Sequence, residues 1–163
     1  MLLIKFQKFK FLLILSIPFF VFLDQLSKSW ILKNIFLNEE ILRITNFLNF
    51  VPVWNKGISF GMLSNFSDIN LIMIFITILI ILIIFFWFLK AKNLNLSLAL
   101  IFIISGALGN LIDRFIHNAV VDFIDLHIGN YHWPAFNFAD SYITIGAAIY
   151  IYIIFTSQTD NIA

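Results

Sequence analysis

Cysteine is absent from all 163 residues, which removes disulfide frameworks, thiolate metal sites and thiol nucleophiles together. Charge is also scarce. Asp, Glu, Lys and Arg make up 12% of the chain and balance to +1, and the basic residues are scattered rather than gathered on a stripe, which excludes nucleic acid as a partner. Glycine and proline are few, so no Gly/Ser/Pro-rich linker divides the chain. Nor is there an internal repeat of the kind that announces a transporter built from two halves. The expectation is one membrane-embedded domain over residues 1–163.

What fills the chain instead is apolar. Hydrophobic residues account for 61% and the mean hydropathy is +0.98, more apolar surface than a soluble core of this size can bury. Four spans are predicted, at residues 11–32, 69–89, 96–114 and 138–156. The second is the clearest, with no charge from Ile69 to Leu89, Ser67 and Asp68 as N-cap candidates, and Lys90 and Lys92 after it. The first needs argument, because Lys5, Lys8 and Lys10 followed by an apolar run resemble a cleavable signal peptide. No A-x-A site follows. Continuing through Trp30, Ile31 and Leu32 gives a full span in which Asp24 and Lys28 lie four apart on one face and can pair.

Four spans put both termini on one side. Lys5, Lys8, Lys10, Lys90 and Lys92 mark that side as cytoplasmic, although Lys33, Arg43 and Lys56 in the opposite segment weaken the bias. Within that outer segment, residues 41–53 mix apolar and polar side chains around Pro52 and read as short strands and turns lying over the membrane surface.

The polar residues collect where helices meet the outer face: Asp24, Lys28, Asn55, Asn110, Asp113, Arg114, Asp122, Asn137 and Asp140. Charges in a span are costly, so such a cluster marks a functional site or a structural ion pair. Asp24 with Lys28, and Asp113 beside Arg114, read as pairs fixing helix ends. Gly106, Asn110 and Asp113 recur at helical spacing and suit one face of the third span to close packing. Asp122 and Asp140 have no basic residue within several positions, which makes them the candidates for reactive carboxylates. Asp125 competes with Asp122, and Asp140 has a plainer reading as a helix-start carboxylate. Two carboxylates brought together there would share one proton, the ionised one activating water and the protonated one polarising a peptide carbonyl. A proton relay would instead spread carboxylates through the membrane depth, and a non-catalytic assembly factor would give these two no reason to be acidic.

His117, His127 and His132 lack H-E-x-x-H spacing, and no metal or other cofactor is expected. Ser27, Ser59 and Ser141 have no G-x-S-x-G setting. Ser27 next to Lys28 invites comparison with Ser/Lys dyads, but neighbours on a helix point about 100° apart.

Taken in order, Asp24-Gln25-Leu26-Ser27-Lys28, Asn55-Lys56-Gly57-Ile58-Ser59-Phe60-Gly61, Gly106-Ala107-Leu108-Gly109-Asn110-Leu111-Ile112-Asp113-Arg114, Val120-Val121-Asp122-Phe123 and Phe136-Asn137-Phe138-Ala139-Asp140-Ser141 resemble the bacterial lipoprotein signal peptidase family. The resemblance covers most of the chain. It implies an all-α integral membrane fold of four transmembrane helices with a small extracytoplasmic β-cradle, in the bacterial inner membrane with the site facing outward. It implies an aspartic endopeptidase that cleaves prolipoproteins before a diacylglyceryl-modified cysteine and is inhibited by globomycin. Separately, a monomer is expected. It assigns catalysis to Asp122 and Asp140, and substrate binding or site support to Asp24, Lys28, Asn55, Gly57, Asn110, Asp113, Arg114, Asn137 and Ala139. Asn55 would hydrogen-bond substrate backbone.

Overall fold

A computed structural model of the chain describes residues 2–37, 40–57 and 69–159, with side chains from Lys8 to Thr156 within those ranges. Helix α1 (Leu2–Ile31) runs into a π-helical turn at Leu32–Phe36, where the Asn34 amide donates to the Trp30 carbonyl at 2.7 Å. The first membrane-length stretch therefore reaches Phe36, beyond the expected end at residue 32. Helix α2 (Ile69–Lys90) matches its expected span; Ser67, Asp68, Ser59 and Gly61 lie outside the described residues, as does the Lys5 side chain.

Helix α3 (Leu94–His117) starts at Asn93, whose side chain accepts the Asn95 and Leu96 N–H groups at 2.8 and 3.4 Å. A cap of this kind contributes about 1 kcal/mol. The expected end at Arg114 is one turn short. Nothing in Phe115-Ile116-His117 breaks a helix, and the chain turns only at Asn118, which takes the left-handed conformation at φ 57° and donates its N–H to the Arg114 carbonyl. Helix α4 covers Phe138–Thr159.

The strands β1 (Leu42–Arg43), β2 (Leu48–Asn55), β3 (Val120–Ile128) and β4 (Tyr131–His132) form one antiparallel sheet in sequence order. The expected strands at 41–53 are present. Between Phe50 and Val53 the β2–β3 register slips by one residue, and Pro52, which has no N–H to give a ladder, falls in the slip. Gly129, at φ 58°, supplies the left-handed residue of the tight β3–β4 turn.

Helix α3 is the centre of the bundle. Of its most apolar stretch 56% is buried, against 11% in each of the other three helices, whose outward Leu, Ile and Phe side chains have only lipid to cover them. Close approach of α3 and α4 is built from glycine. A Cβ at Gly106 would collide with the Ala139 carbonyl oxygen, and one at Gly146 would sit 2.5 Å from the Ala99 carbonyl oxygen. That contact sets the first turn of α4 against the polar face of α3. At the opposite end, Lys10 donates to the Leu89 and Ala91 carbonyls at 2.9 and 3.0 Å and closes the C-terminus of α2.

Candidate active site

A buried ion cluster holds α1, α3, α4 and β3 in one arrangement. The Lys28 ammonium has three N–H donors and three acceptors: Asp24 Oδ2 and Asp113 Oδ2, both at 2.8 Å, and Asn110 Oδ1 at 3.1 Å. Asp24 also accepts the Ala139 N–H at 2.9 Å, satisfying a first-turn donor of α4 from another helix. Asp113 accepts the Val121 N–H at 3.1 Å, which anchors β3 one residue before Asp122. The expected Asp24–Lys28 pair is present. Asp113, however, pairs with Lys28 rather than with Arg114, because neighbours on a helix diverge by about 100° and cannot share a face. Arg114 makes no salt bridge among the described residues, and one of its buried Nη atoms has no partner there.

Two asparagines carry this order to the carboxylates. Asn137 is the N-cap of α4: its Oδ1 accepts the Asp140 N–H at 2.9 Å, while Asp140 Oδ2 accepts the Asn137 N–H at 3.2 Å, a reciprocal capping box. The Asn137 side-chain amide donates to Asp122 Oδ1 at 2.8 Å, and also to Asn110 Oδ1 and the Val121 carbonyl. Asn110 in turn donates to Asp140 Oδ1 at 2.8 Å. Asp140 is thus both the helix-start carboxylate of the plain reading and a member of the polar network. Asn55 donates to Asp122 Oδ2 at 2.9 Å and accepts the Gly57 N–H at 3.2 Å, so Gly57 orients Asn55.

Asp122 and Asp140 line the same cavity, about 960 Å³, together with Asn55, Leu126, Tyr131, Trp133, Ser141 and Thr144. Neither carboxylate is in a salt bridge among the described residues. Burial, then the neighbouring Asp140 charge, push the Asp122 carboxyl up to about 7 against the pull of the Asn55 and Asn137 amides and Lys28. A carboxyl protonated near neutrality beside a second carboxylate suits one shared proton.

Asp125, the competitor, faces the other side of β3, three residues from Asp122 on an alternating strand. Burial pushes it up, but hydrogen bonds from His132 and Asn49 outweigh burial and hold it below the ordinary carboxylate value. It is a paired acid. Gln25 was missed by sequence reasoning: its amide donates to Asp113 at 2.8 Å and to the Gly109 carbonyl at 3.1 Å. Its place beside Asp24 in the first block was the available signal. Tyr131 and Trp133 were missed as cavity walls, since β4 and the residue after it are too short a stretch to show a pattern.

The profile of the family described as signal peptidase (SPase) II matches residues 16–156. The lipoprotein signal peptidase of Rickettsia africae (strain ESF-5) is 41% identical over 133 residues, covering 80% of this chain and 66% of that protein, so the chain spans just under two thirds of that relative. The lipoprotein signal peptidase of Anaplasma phagocytophilum (strain HZ) is 40% identical over 129 residues, covering 79% and 82%. A solved bacterial membrane enzyme, determined in meso at 2.3 Å, superposes with a TM-score of 0.80 at 34% identity over 91% of this chain and 90% of that one.

Proposed function

The chain belongs to the signal peptidase II family, the lipoprotein signal peptidases that remove signal peptides from prolipoproteins, and on that premise we propose that Asp122 and Asp140 are its catalytic pair. The observation that carries the proposal is that these two carboxylates face one cavity and, among the described residues, are held by amides and make no salt bridge.

In the proposed reaction the ionised member takes a proton from water while the protonated member donates a hydrogen bond to the scissile carbonyl. The hydroxide oxygen bonds to the carbonyl carbon, and the carbonyl oxygen takes the proton it was offered. Collapse breaks the C–N bond as the carboxyl that took the water proton passes it to the leaving amine and a gem-diol hydroxyl returns its proton to the other carboxylate, which leaves the pair with one proton again. The bond cut is the one before a diacylglyceryl-modified cysteine, and the wide cavity between the sheet and α4 suits an extended peptide with a bulky neighbour. Asn55 keeps one amide hydrogen beyond its bond to Asp122, available to substrate backbone. Asp24, Lys28, Asn110, Asp113 and Asn137 act by positioning, Ala139 by giving its N–H to Asp24, and Arg114 by placing positive charge near both carboxylates. One chain supplies every group, so a monomer suffices. We place the termini in the cytoplasm and the sheet on the outer face of the bacterial inner membrane, with surrounding lipid and globomycin-type inhibitors as further partners.

The test is a gel-shift assay on a diacylglyceryl-modified precursor. Wild type should cleave it and globomycin should stop the cleavage. Asp122→Asn and Asp140→Asn should each lower turnover by at least roughly 10³-fold, since each removes one half of a paired mechanism. Substantial turnover by either pure variant would reject the pair.

A further inference from the structure

Behind the cavity wall lies a polar cluster that the proposed reaction does not use. Side chains alternate along β3 and the returning chain. Asp122 and Leu126, with Tyr131 and Trp133, line the cavity. Asp125 and His132 belong to the opposite face. There Asn49 of β2 donates to Asp125 Oδ2 at 2.9 Å. His132 of β4 brings Nδ1 to 2.8 and 3.0 Å from the two Asp125 oxygens, so the imidazole must carry its proton on Nδ1. The His127 ring stacks on His132 at 4.9 Å between centroids.

The cluster ties three strands, β2, β3 and β4, through one buried carboxylate, and β4 is the shortest of the three. Strand β4 is two residues long, with Trp133 N–H donating to the Leu126 carbonyl at 2.8 Å just beyond it. So short a strand is poorly held by its backbone alone. Yet it carries Tyr131, which with Trp133 forms the outer wall of the cavity, 72% and 60% exposed.

We propose that Asp125 is a positioning residue for substrate binding: through His132 it latches the β3–β4 hairpin, and the latch stands Tyr131 and Trp133 against the bound peptide. The inference rests on the reading that this cavity takes the precursor. Because the latch touches no reacting atom, its loss weakens binding and leaves the chemical step alone. His132→Ala should raise KM for the lipidated precursor roughly tenfold, the scale of one charge-assisted hydrogen bond, with kcat within about twofold of wild type. His132→Asn, whose amide occupies the place of Nδ1, should restore KM. Adding Asp125→Asn to His132→Ala should cost nothing further, since the two act as one unit.

A second readout needs no turnover. With no cysteine in the chain, a spin label on Ile128→Cys, at the exposed hairpin tip, reports the hairpin alone. The label should be ordered in the His132 protein, mobile in His132→Ala and ordered again in His132→Asn. Unchanged KM and label mobility in His132→Ala would overturn the latch, as would a fall in kcat at constant KM. A wild type that fails to cleave would reject the functional reading instead, and the label would still decide whether the latch exists.

Discussion

Among the described residues, amides rather than cations hold the carboxylates that face the cavity, and the choice has a chemical consequence. An ammonium or guanidinium in contact with Asp122 would fix it as a carboxylate across the neutral range, whereas Asn55 and Asn137 stabilise the ionised form without abolishing the protonated one. Lys28 supplies charge from one residue away, through Asn110. In the proposed pair the monoprotonated state is the active one, so activity should fall on the alkaline side as the shared proton leaves, near pH 7 by the Asp122 value. Removing the Asn55 amide takes away a bond made to the ionised form, which raises the pKa. Asn55→Ala should therefore move the alkaline limb upward by about one pH unit, taking a charged hydrogen bond at ~1.5 kcal/mol. A pH profile of kcat for the two proteins checks the direction; a downward shift would mean that Asn55 favours the protonated form. At this scale the sequence was informative where charge was unpaired locally and blind where pairing ran between helices. Asp122 and Asp140 stood out because no basic residue was near them. Asp113 reads as the partner of its neighbour Arg114, since nothing in one dimension shows that Lys28 lies across from it.

Among the elements, α3 and α4 form the joint on which the site depends. Asn110 and Asp140 meet because Gly106 lets the first turn of α4 come against the α3 backbone at Ala139. Any side chain at Gly106 must push the Ala139 carbonyl away, and Ala139 lies between the capping Asn137 and Asp140. Gly106→Val should thus destabilise the protein by about 1–3 kcal/mol as overpacking does, and should also reduce cleavage beyond what unfolding accounts for, because Asp140 moves with its helix. Thermal unfolding in detergent beside turnover of the folded fraction separates the two effects; normal specific activity would show that Asp140 is placed by something other than this contact. The small face of α3 was legible from the spacing of Gly106, Asn110 and Asp113. Strand β3 was not, although Val120-Val121-Asp122-Phe123-Ile124 is rich in strand formers. Its apolar run beside a membrane span reads equally well as helix or strand, and the return strand is too short to decide between them.

For the whole molecule, the four-span architecture follows from hydropathy, since only membrane lipid can cover so much outward Leu, Ile and Phe. Orientation rests on less. Lys10 turns inward to cap α2, while Lys90 at the end of α2 and Lys92 in the α2–α3 connection are opposed by Lys33, Arg43 and Lys56 at the other end. The proposed orientation follows from those flanking charges and from the proposed cleavage, which brings a lipid-modified cysteine to the cavity on the sheet side. The absence of cysteine makes the question direct. Asn95→Cys, on the exposed start of α3, and Asn130→Cys, in the β3–β4 turn, each place one thiol at one end of the bundle. In spheroplasts a membrane-impermeant maleimide should label Asn130→Cys at once and Asn95→Cys only after lysis. The reverse pattern would put the cavity on the cytoplasmic side, where the positive charge at Lys33, Arg43 and Lys56 would then be the dominant signal.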